Sequence, residues 1–290
     1  LSRNIRELLA EARKLLPSGP YENPVLDSLL LLGHVMGLSK EQLYARLHDE
    51  IDDVLTADFL ELIDRRRGGE ATAYILGKHE FYGLEFSVDS RVLIPRPDTE
   101  TLVEWVLESH GASRLHLHDC CSGSGAIAIA CADSRPDWVI SASDISYEAG
   151  AVFELNWRRL IDPSASDPVP WHRSDLLTAL PAESQDIITA NPPYLTRAEC
   201  EKKEAEGWPE PRLALDGGEK GLDLIRTLVS QAMGALRPGG FIYIEAADWQ
   251  ADTICSMLET SGFSDIGVKT DIEGRKRISR GRKGFGRDTG

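Results

Sequence analysis

The chain has 290 residues, 42% of them hydrophobic and 27% charged, with a formal net charge of −15. At roughly 100–200 residues per domain this length allows one large or two modest domains, with a core that needs no covalent staples. The acidic balance repels nucleic-acid phosphates unless a local basic patch overrides it, and so favours a protein or small-molecule partner.

Apolar stretches such as residues 26–32 fall far short of the ~20 residues that span a bilayer. The first residues lack the basic, apolar, small order of a signal peptide. The chain therefore reads as cytoplasmic, with no membrane partner. Cys120, Cys121, Cys131, Cys200 and Cys255 are odd in number and form no CxxC pair, so reduced thiols are expected rather than disulfides or a zinc site.

Residues 1–77 read as a small helical bundle. Ile5, Leu8, Leu9, Ala12, Leu15 and Leu16 recur at helical spacing, and Pro17, Gly19 and Pro20 end that helix. Asn23-Pro24 offers a cap and a first-turn proline for a helix over 25–36. Ser39 with Gln42 makes a capping box for a short third helix. Thr56 is expected to cap a fourth, which ends near Gly68-Gly69.

Residues 78–94 change character. Phe81, Tyr82, Phe86, Val88, Val92 and Ile94, interrupted by Gly83 and Asp89-Ser90, predict a β-hairpin linking two domains. Pro95 and Pro97 stop the strand, and Asp98 or Thr99 caps a helix through Leu107. Residues 95–290 then alternate strand and helix. Strands are expected at 115–120, 138–144, 186–190, 240–246, 266–270 and 276–279. Helices are expected from 125 to 132, up to 160, over 221–236 and over 250–261. That alternation predicts an α/β, doubly wound sheet with helices on both faces. The Pro/Ser/Asp-rich segment 162–170 reads as an exposed loop.

The first of these strands runs into Cys121-Ser122-Gly123-Ser124-Gly125. Small residues let the backbone turn tightly and approach a ligand closely, in the crevice where open α/β sheets bind nucleotides. The second strand ends at Asp144, about 20 residues on, where a carboxylate can accept both ribose hydroxyl protons. Taken alone, Asp144 fits a helix N-cap equally well. Together the two features point to a nucleoside ligand without separating a dinucleotide from S-adenosylmethionine. Ile127 or Ala128 at the third glycine position leans away from a pyrophosphate.

The strand over 186–190 runs into Asn191-Pro192-Pro193-Tyr194. Two prolines stiffen the turn and remove backbone donors. The Asn191 side-chain oxygen and the Pro192 carbonyl are left as a pair of acceptors matched to a planar NH2 group, and Tyr194 offers an aromatic face. An amide nitrogen is a poor nucleophile because its lone pair is delocalised. Two acceptors gripping its hydrogens would orient it and favour pyramidalisation. Positioning of this kind can supply up to ~7–11 kcal/mol in favourable cases.

On these residues the chain resembles the HemK/PrmC family, the peptide chain release factor glutamine N5-methyltransferases. The resemblance extends through Ala73-Tyr74-Ile75-Leu76-Gly77, Glu80-Phe81-Tyr82-Gly83 and the loop from Val92 to Glu100. It continues in Glu210-Pro211-Arg212-Leu213-Ala214-Leu215, Gly221-Leu222-Asp223, residues 236–240 and residues 274–277. It implies a Rossmann-like class I S-adenosylmethionine-dependent methyltransferase domain behind a helical substrate-recognition domain. It implies methyl transfer to the glutamine of the Gly-Gly-Gln loop of class 1 release factors, leaving S-adenosyl-L-homocysteine. By position, Cys121 to Gly125 form the cofactor turn, Asp144 holds the ribose, and Asp175-Leu176 flank the adenine. Asn191, Pro192, Pro193 and Tyr194 hold the glutamine, and Arg96, Pro97 and Thr99 border the methionine portion. A monomer is expected, with no metal and no direct nucleic-acid contact.

Two positions depart from the family pattern. Cys121 stands where glycine is usual, at a cost of ~1 kcal/mol or more if the turn needs positive φ, and cofactor affinity could suffer. Ala246-Ala247 replaces the usual Ile-Gly and should be accommodated. His116 and His118 alternate on a strand and could face one side, but a metal site needs more ligands, and His118 reads as a packed strand residue. The basic residues Arg275, Lys276, Arg277, Arg280, Arg282 and Lys283 read as a solvated tail. Residues 199–206 read as a flap near the substrate or an exposed helix. Two other functions compete: an amino-methyltransferase acting on adenine or cytosine in nucleic acid, and a non-catalytic scaffold in which Cys121 has spoiled cofactor binding. Intact Asp144 and Asn191–Tyr194 speak against the scaffold.

Overall fold

The computed structural model describes residues 3–18, 22–161 and 169–285. The described residues up to Lys78, with Gly207–Pro209, form one compact unit; those of His79–Glu206 and from Glu210 onward form another.

In the first unit, β1 (Arg3–Asn4) leads into α1 (Ile5–Leu15), followed by α2 (Pro24–Met36), α3 (Lys40–Ala45), β2 (Glu50–Ile51), α4 (Asp53–Arg67) and α5 (Thr72–Leu76). The helices close on one core that includes Ile5, Leu8, Leu9, Leu31, Leu32, Leu43, Phe59 and Ile63. Leu15, expected on that face, is 39% exposed at the helix end, while Leu16 is buried. Pro17 follows the helix; Gly19 and Pro20 lie outside the described residues. Asn23 caps α2 by accepting from the Leu26 amide at 3.0 Å, and Ser39 and Gln42 form their reciprocal box. The cap of α4 is Asp52, not Thr56. Its carboxylate accepts from the Val54 and Leu55 amides, each at 2.9 Å, and its charge suits the positive end of the helix. Thr56 lies one turn inside. The antiparallel pairing of β1 with β2 and the five-residue α5 were not expected; elements this short carry no periodicity to read.

From its second residue onward the hairpin of β3 (Lys78–Phe81) and β4 (Leu84–Ser87), turning at Tyr82-Gly83, belongs to the second unit. Val88, Val92 and Ile94 are buried but lie beyond the hairpin, in irregular backbone. The next helix, α6 (Pro97–Ser109), starts with Arg96 at the N-cap and has no side-chain cap. Asp98 and Thr99 therefore occupy its first turn rather than its cap, because Pro97 has the fixed φ suited to the first helical position.

The rest comprises β5 (His116–Cys120), α7 (Ala126–Ser134), β6 (Val139–Asp144), α8 (Tyr147–Leu160), β7 (Trp171–Arg173) and β8 (Gln185–Ala190). Then come α9 (Arg197–Ala205), α10 (Asp223–Ala235), β9 (Leu236–Glu245), α11 (Ala251–Thr260), β10 (Phe263–Thr270) and β11 (Lys276–Lys283). Seven strands form one sheet in the order β10-β11-β9-β8-β5-β6-β7. β11 is antiparallel to both neighbours and the other pairings are parallel. Strand order reverses between β5 and β8, so their C-terminal ends flank a switch-point crevice. The α7 sequence is apolar all round and buried from Ala126 to Ala132, as a helix enclosed on both sides requires. Most of segment 162–170 lies outside the described residues. β7, just after it, was not expected: its three residues show no alternation and gain strand geometry only by pairing with β6. Residues 197–205 form a helix, capped by a Thr196–Glu199 box.

The basic run is no solvated tail. From Lys276 it is β11, held inside the sheet, and its cations have partners. Arg275 and Arg277 pair with Asp271 and Asp98, Lys276 with Asp252, and Lys283 with Glu183. Arg280 lies over the Trp105 ring and pairs with Asp265, and Arg282 lies over Phe241 and Phe285. Among the described residues no helix is long and apolar enough to cross a membrane.

Candidate active site

The turn after β5 is the tightest backbone in the crevice. Cys121, Gly123 and Gly125 have φ of 60°, 52° and 88°. A Cβ at Gly125 would come within 2.8 Å of the Phe153 ring and 2.9 Å of Ile129, so glycine is needed for α7 to close on α8. Cys121 takes the left-handed conformation with a side chain, at the cost foreseen from the sequence. Its sulfur lies 3.9 Å from that of Cys120, whose thiol, together with burial, pushes the Cys121 thiol well above the usual range. Both effects disfavour its thiolate.

Asp144 ends β6 facing this turn. It accepts from the Gly123 amide and the Ser146 amide, both at 3.0 Å. The cap of α8 is Ser146, which accepts from the Ala149 amide, so the N-cap reading of Asp144 is overturned. Burial raises the Asp144 carboxyl against the pull of its backbone donors. Ser122 lies beside it, buried, and its hydroxyl has no partner.

Most sequence-derived residues meet at one cavity of about 500 Å³, within the usual size of a small-molecule site. Arg96, Thr99, Cys121, Ser122, Gly123, Ser124, Asp144, Asp175, Leu176, Asn191 and Pro193 all line it. Gly125, Pro97, Pro192 and Tyr194 do not. Gly125 turns inward for the packing reason above. Tyr194 is partly buried against the apolar cluster of Ile225, Leu228 and Ile244, and burial pushes its hydroxyl up.

At the end of β8, the Asn191 Nδ2 donates to the Thr99 hydroxyl at 3.3 Å, leaving Oδ1 unspent beside the cavity. The motif is braced from behind. Gln250 donates to the Tyr194 and Gly221 carbonyls, each at 3.0 Å, and a Cβ at Gly221 would stand 2.1 Å from the Tyr194 oxygen. Sequence reasoning assigned no role to three buried acids. Glu210 accepts from the Ile94 amide at 3.0 Å and pairs with Arg96, fixing the loop that enters the cavity. Asp119 accepts from the Thr189 hydroxyl at 2.8 Å, its other oxygen has no partner, and burial pushes it up to about 7. Glu245 is 1% exposed, its Oε2 has no partner, and it is likewise raised to about 7 by burial. His118 is wholly buried between the Ser141 and Ser143 hydroxyls, and among the described residues no cluster could hold a metal.

The residues present suit a nucleoside attached to an amino acid. Asp144 offers a carboxylate, Ser122 an unpartnered hydroxyl, Leu176 an apolar face, and the close turn leaves its backbone accessible. A methyltransferase from Pyrococcus furiosus shares the fold, with a TM-score of 0.52 at 18% identity over 70% of this chain and 90% of its own. This fold and crevice are those of a class I S-adenosylmethionine-dependent methyltransferase.

Residues 7–77 match the PrmC N-terminal domain and residues 97–206 the methyltransferase small domain. The release factor glutamine methyltransferase of Burkholderia pseudomallei is 38% identical over 276 residues, 94% of this chain and 96% of its own. That of Moorella thermoacetica is 38% identical over 275 residues, again 94% and 96%. The chain belongs to the release factor glutamine methyltransferase family.

Proposed function

We propose that the chain transfers the methyl group of S-adenosylmethionine to the side-chain amide nitrogen of the glutamine in the Gly-Gly-Gln loop of class 1 release factors. The carrying observation is Asn191. One N–H of its amide is donated to Thr99, and its oxygen accepts no hydrogen bond among the described residues, so an acceptor is left on a residue of the cavity wall. An acceptor there suits the NH2 of an amide. When bound, the sulfonium of S-adenosylmethionine supplies the electrophilic methyl group. Asp144 and Ser122 hold the ribose, Asp175 and Leu176 border the adenine, and Arg96 and Thr99 border the methionine portion. Asn191 Oδ1 and the Pro192 carbonyl grip the two amide hydrogens and orient the nitrogen in line, with Tyr194 beside the amide. The prolines keep competing backbone donors out of the turn. The first unit recognises the release factor, and the protein works in the cytoplasm.

The test is methyl transfer from labelled S-adenosylmethionine to a class 1 release factor, to its variant with the loop glutamine changed to alanine, and to unmethylated DNA and RNA. Label that appears on the release factor and vanishes with the glutamine is expected. Label on nucleic acid alone would replace this reading with an adenine or cytosine amino-methyltransferase.

A further inference from the structure

The turn from Asn191 to Tyr194 is poor in the groups that usually hold a loop in place. Pro192 and Pro193 have no N–H to donate, so the middle of the turn offers carbonyls alone. Upstream it is held by β8, whose last residue, Ala190, pairs with Ile244 of β9. Downstream, one side chain supplies the donors. Gln250 ends the single helical turn Asp248–Gln250 between β9 and α11 and is wholly buried. Its Nε2 donates to the Tyr194 carbonyl and to the Gly221 carbonyl, each at 3.0 Å. We propose that Gln250 is a positioning residue for methyl transfer, the outside donor that fixes this turn so that Asn191 and the Pro192 carbonyl meet the substrate amide. This rests on the reading of the turn given above.

Every partner of the Gln250 amide is a backbone group with a fixed role. The Ala247 N–H can only donate, and it gives to Oε1 at 3.1 Å. The two carbonyls can only accept. An amide turned over would set its oxygen against both carbonyls and its NH2 against the Ala247 N–H. The surrounding backbone therefore dictates the orientation, and both amide hydrogens are committed. A buried polar group satisfied in this way is rigid.

The loop before α10 presses on the same turn. A Cβ at Gly217 would come within 2.6 Å of the Pro193 oxygen and 2.8 Å of the Tyr194 Cα, and a Cβ at Gly221 would collide with the Tyr194 oxygen. Leu195 donates to the Leu215 carbonyl at 2.9 Å and accepts from the Gly217 amide at 2.8 Å. Gln250 ties the two segments together, since one hydrogen goes to each. The fixed φ of two successive prolines leaves few torsions to absorb a shift, so the position of Tyr194 is carried back to Pro192. Gln250 itself does not line the cavity, so its effect on the reaction passes through the turn.

The experiment measures kcat and KM for a release factor at saturating S-adenosylmethionine, with cofactor affinity and melting temperature followed alongside and every assay run well below melting. Gln250→Met keeps the length of the side chain and removes both donors. It should lower kcat by about a hundredfold, the scale of a reacting group misplaced by roughly 1 Å. KM for the release factor and cofactor affinity should stay within about threefold. Gln250→Glu, of the same shape but without a donor when ionised, carries the same expectation and serves where the methionine variant does not fold. Val106→Ala truncates a buried residue on α6, about two turns beyond Thr99, and should lower the melting temperature with kcat unchanged. Parental kcat in a folded Gln250→Met or Gln250→Glu would overturn the proposal. So would an equal loss of kcat in Val106→Ala, because the loss would then follow stability and not position. An inactive Asn191→Ala beside a fully active Gln250→Met would sink the brace alone. A fully active Asn191→Ala would sink the reading of the turn itself.

Discussion

The sulfur of Cys121 lies 3.9 Å from that of Cys120, and Cys121 holds it there with a φ of 60°. A left-handed residue with a side chain costs about 1–2 kcal/mol. Glycine would relieve that strain but loses about 0.5–1 kcal/mol through its freer unfolded chain. Cys121→Gly should therefore stabilise the protein by about 0.5–1 kcal/mol, a rise of some 1–4 °C in melting temperature for a domain this size. Calorimetric titration should also show S-adenosylmethionine binding at least as tightly. A lower melting temperature would mean that packing of the thiol outweighs the strain.

Asp144 supports the turn as well as the ligand, since it accepts from both Gly123 and Ser146. Asp144→Ala removes a charge-assisted acceptor worth about 1.5–3 kcal/mol per bond. Cofactor affinity should fall by roughly 10–150-fold per lost ribose bond. Unchanged affinity in the titration would place the ribose elsewhere.

Asn191→Ala should abolish methyl transfer while leaving cofactor affinity within about threefold, a difference below 1 kcal/mol. Asn191 is one of many residues lining the cavity, and the turn and Asp144 stay in place without it, so binding and transfer should separate. Retained turnover would refute the gripping of the amide.

Glu245 also leaves a signature in stability. Burial lifts its carboxyl from 4.5 to about 7, so between those values the folded chain keeps a proton that the unfolded chain has released. Stability then falls as pH rises through that window. His118, held down to about 3, works in the opposite sense, so the comparison must be a difference between variants. Glu245→Gln should melt higher than the parent at pH 8, with the gap closing toward pH 4.5. A gap that does not depend on pH would mean that Glu245 does not titrate as its burial requires.

Local features were legible in the sequence. Asn23-Pro24, the Ser39–Gln42 box, the turn from Cys121 to Gly125 and Asn191-Pro192-Pro193-Tyr194 each act within a few residues, so their chemistry shows in the string. The cap of α4 was misplaced because Asp52 and Thr56 are both good caps, and only backbone geometry chooses. The roles of Glu210, Asp119 and Glu245 were not legible. Glu210 meets Ile94 across 116 residues and Asp119 meets Thr189 across 70, through the sheet or long loops. The basic run misled for the same reason: its partners Asp98, Glu183 and Asp252 lie on other elements.

The placement of β11 has a consequence for synthesis. β10 is made before β11 yet pairs with it alone, while β9 has β8 on its other side. As the chain emerges from the ribosome, β8 and β9 can join β5 and β6, but β10 must wait with both edges bare. β11 then enters between two strands already made, the step at which this sheet is most open to pairing with another chain.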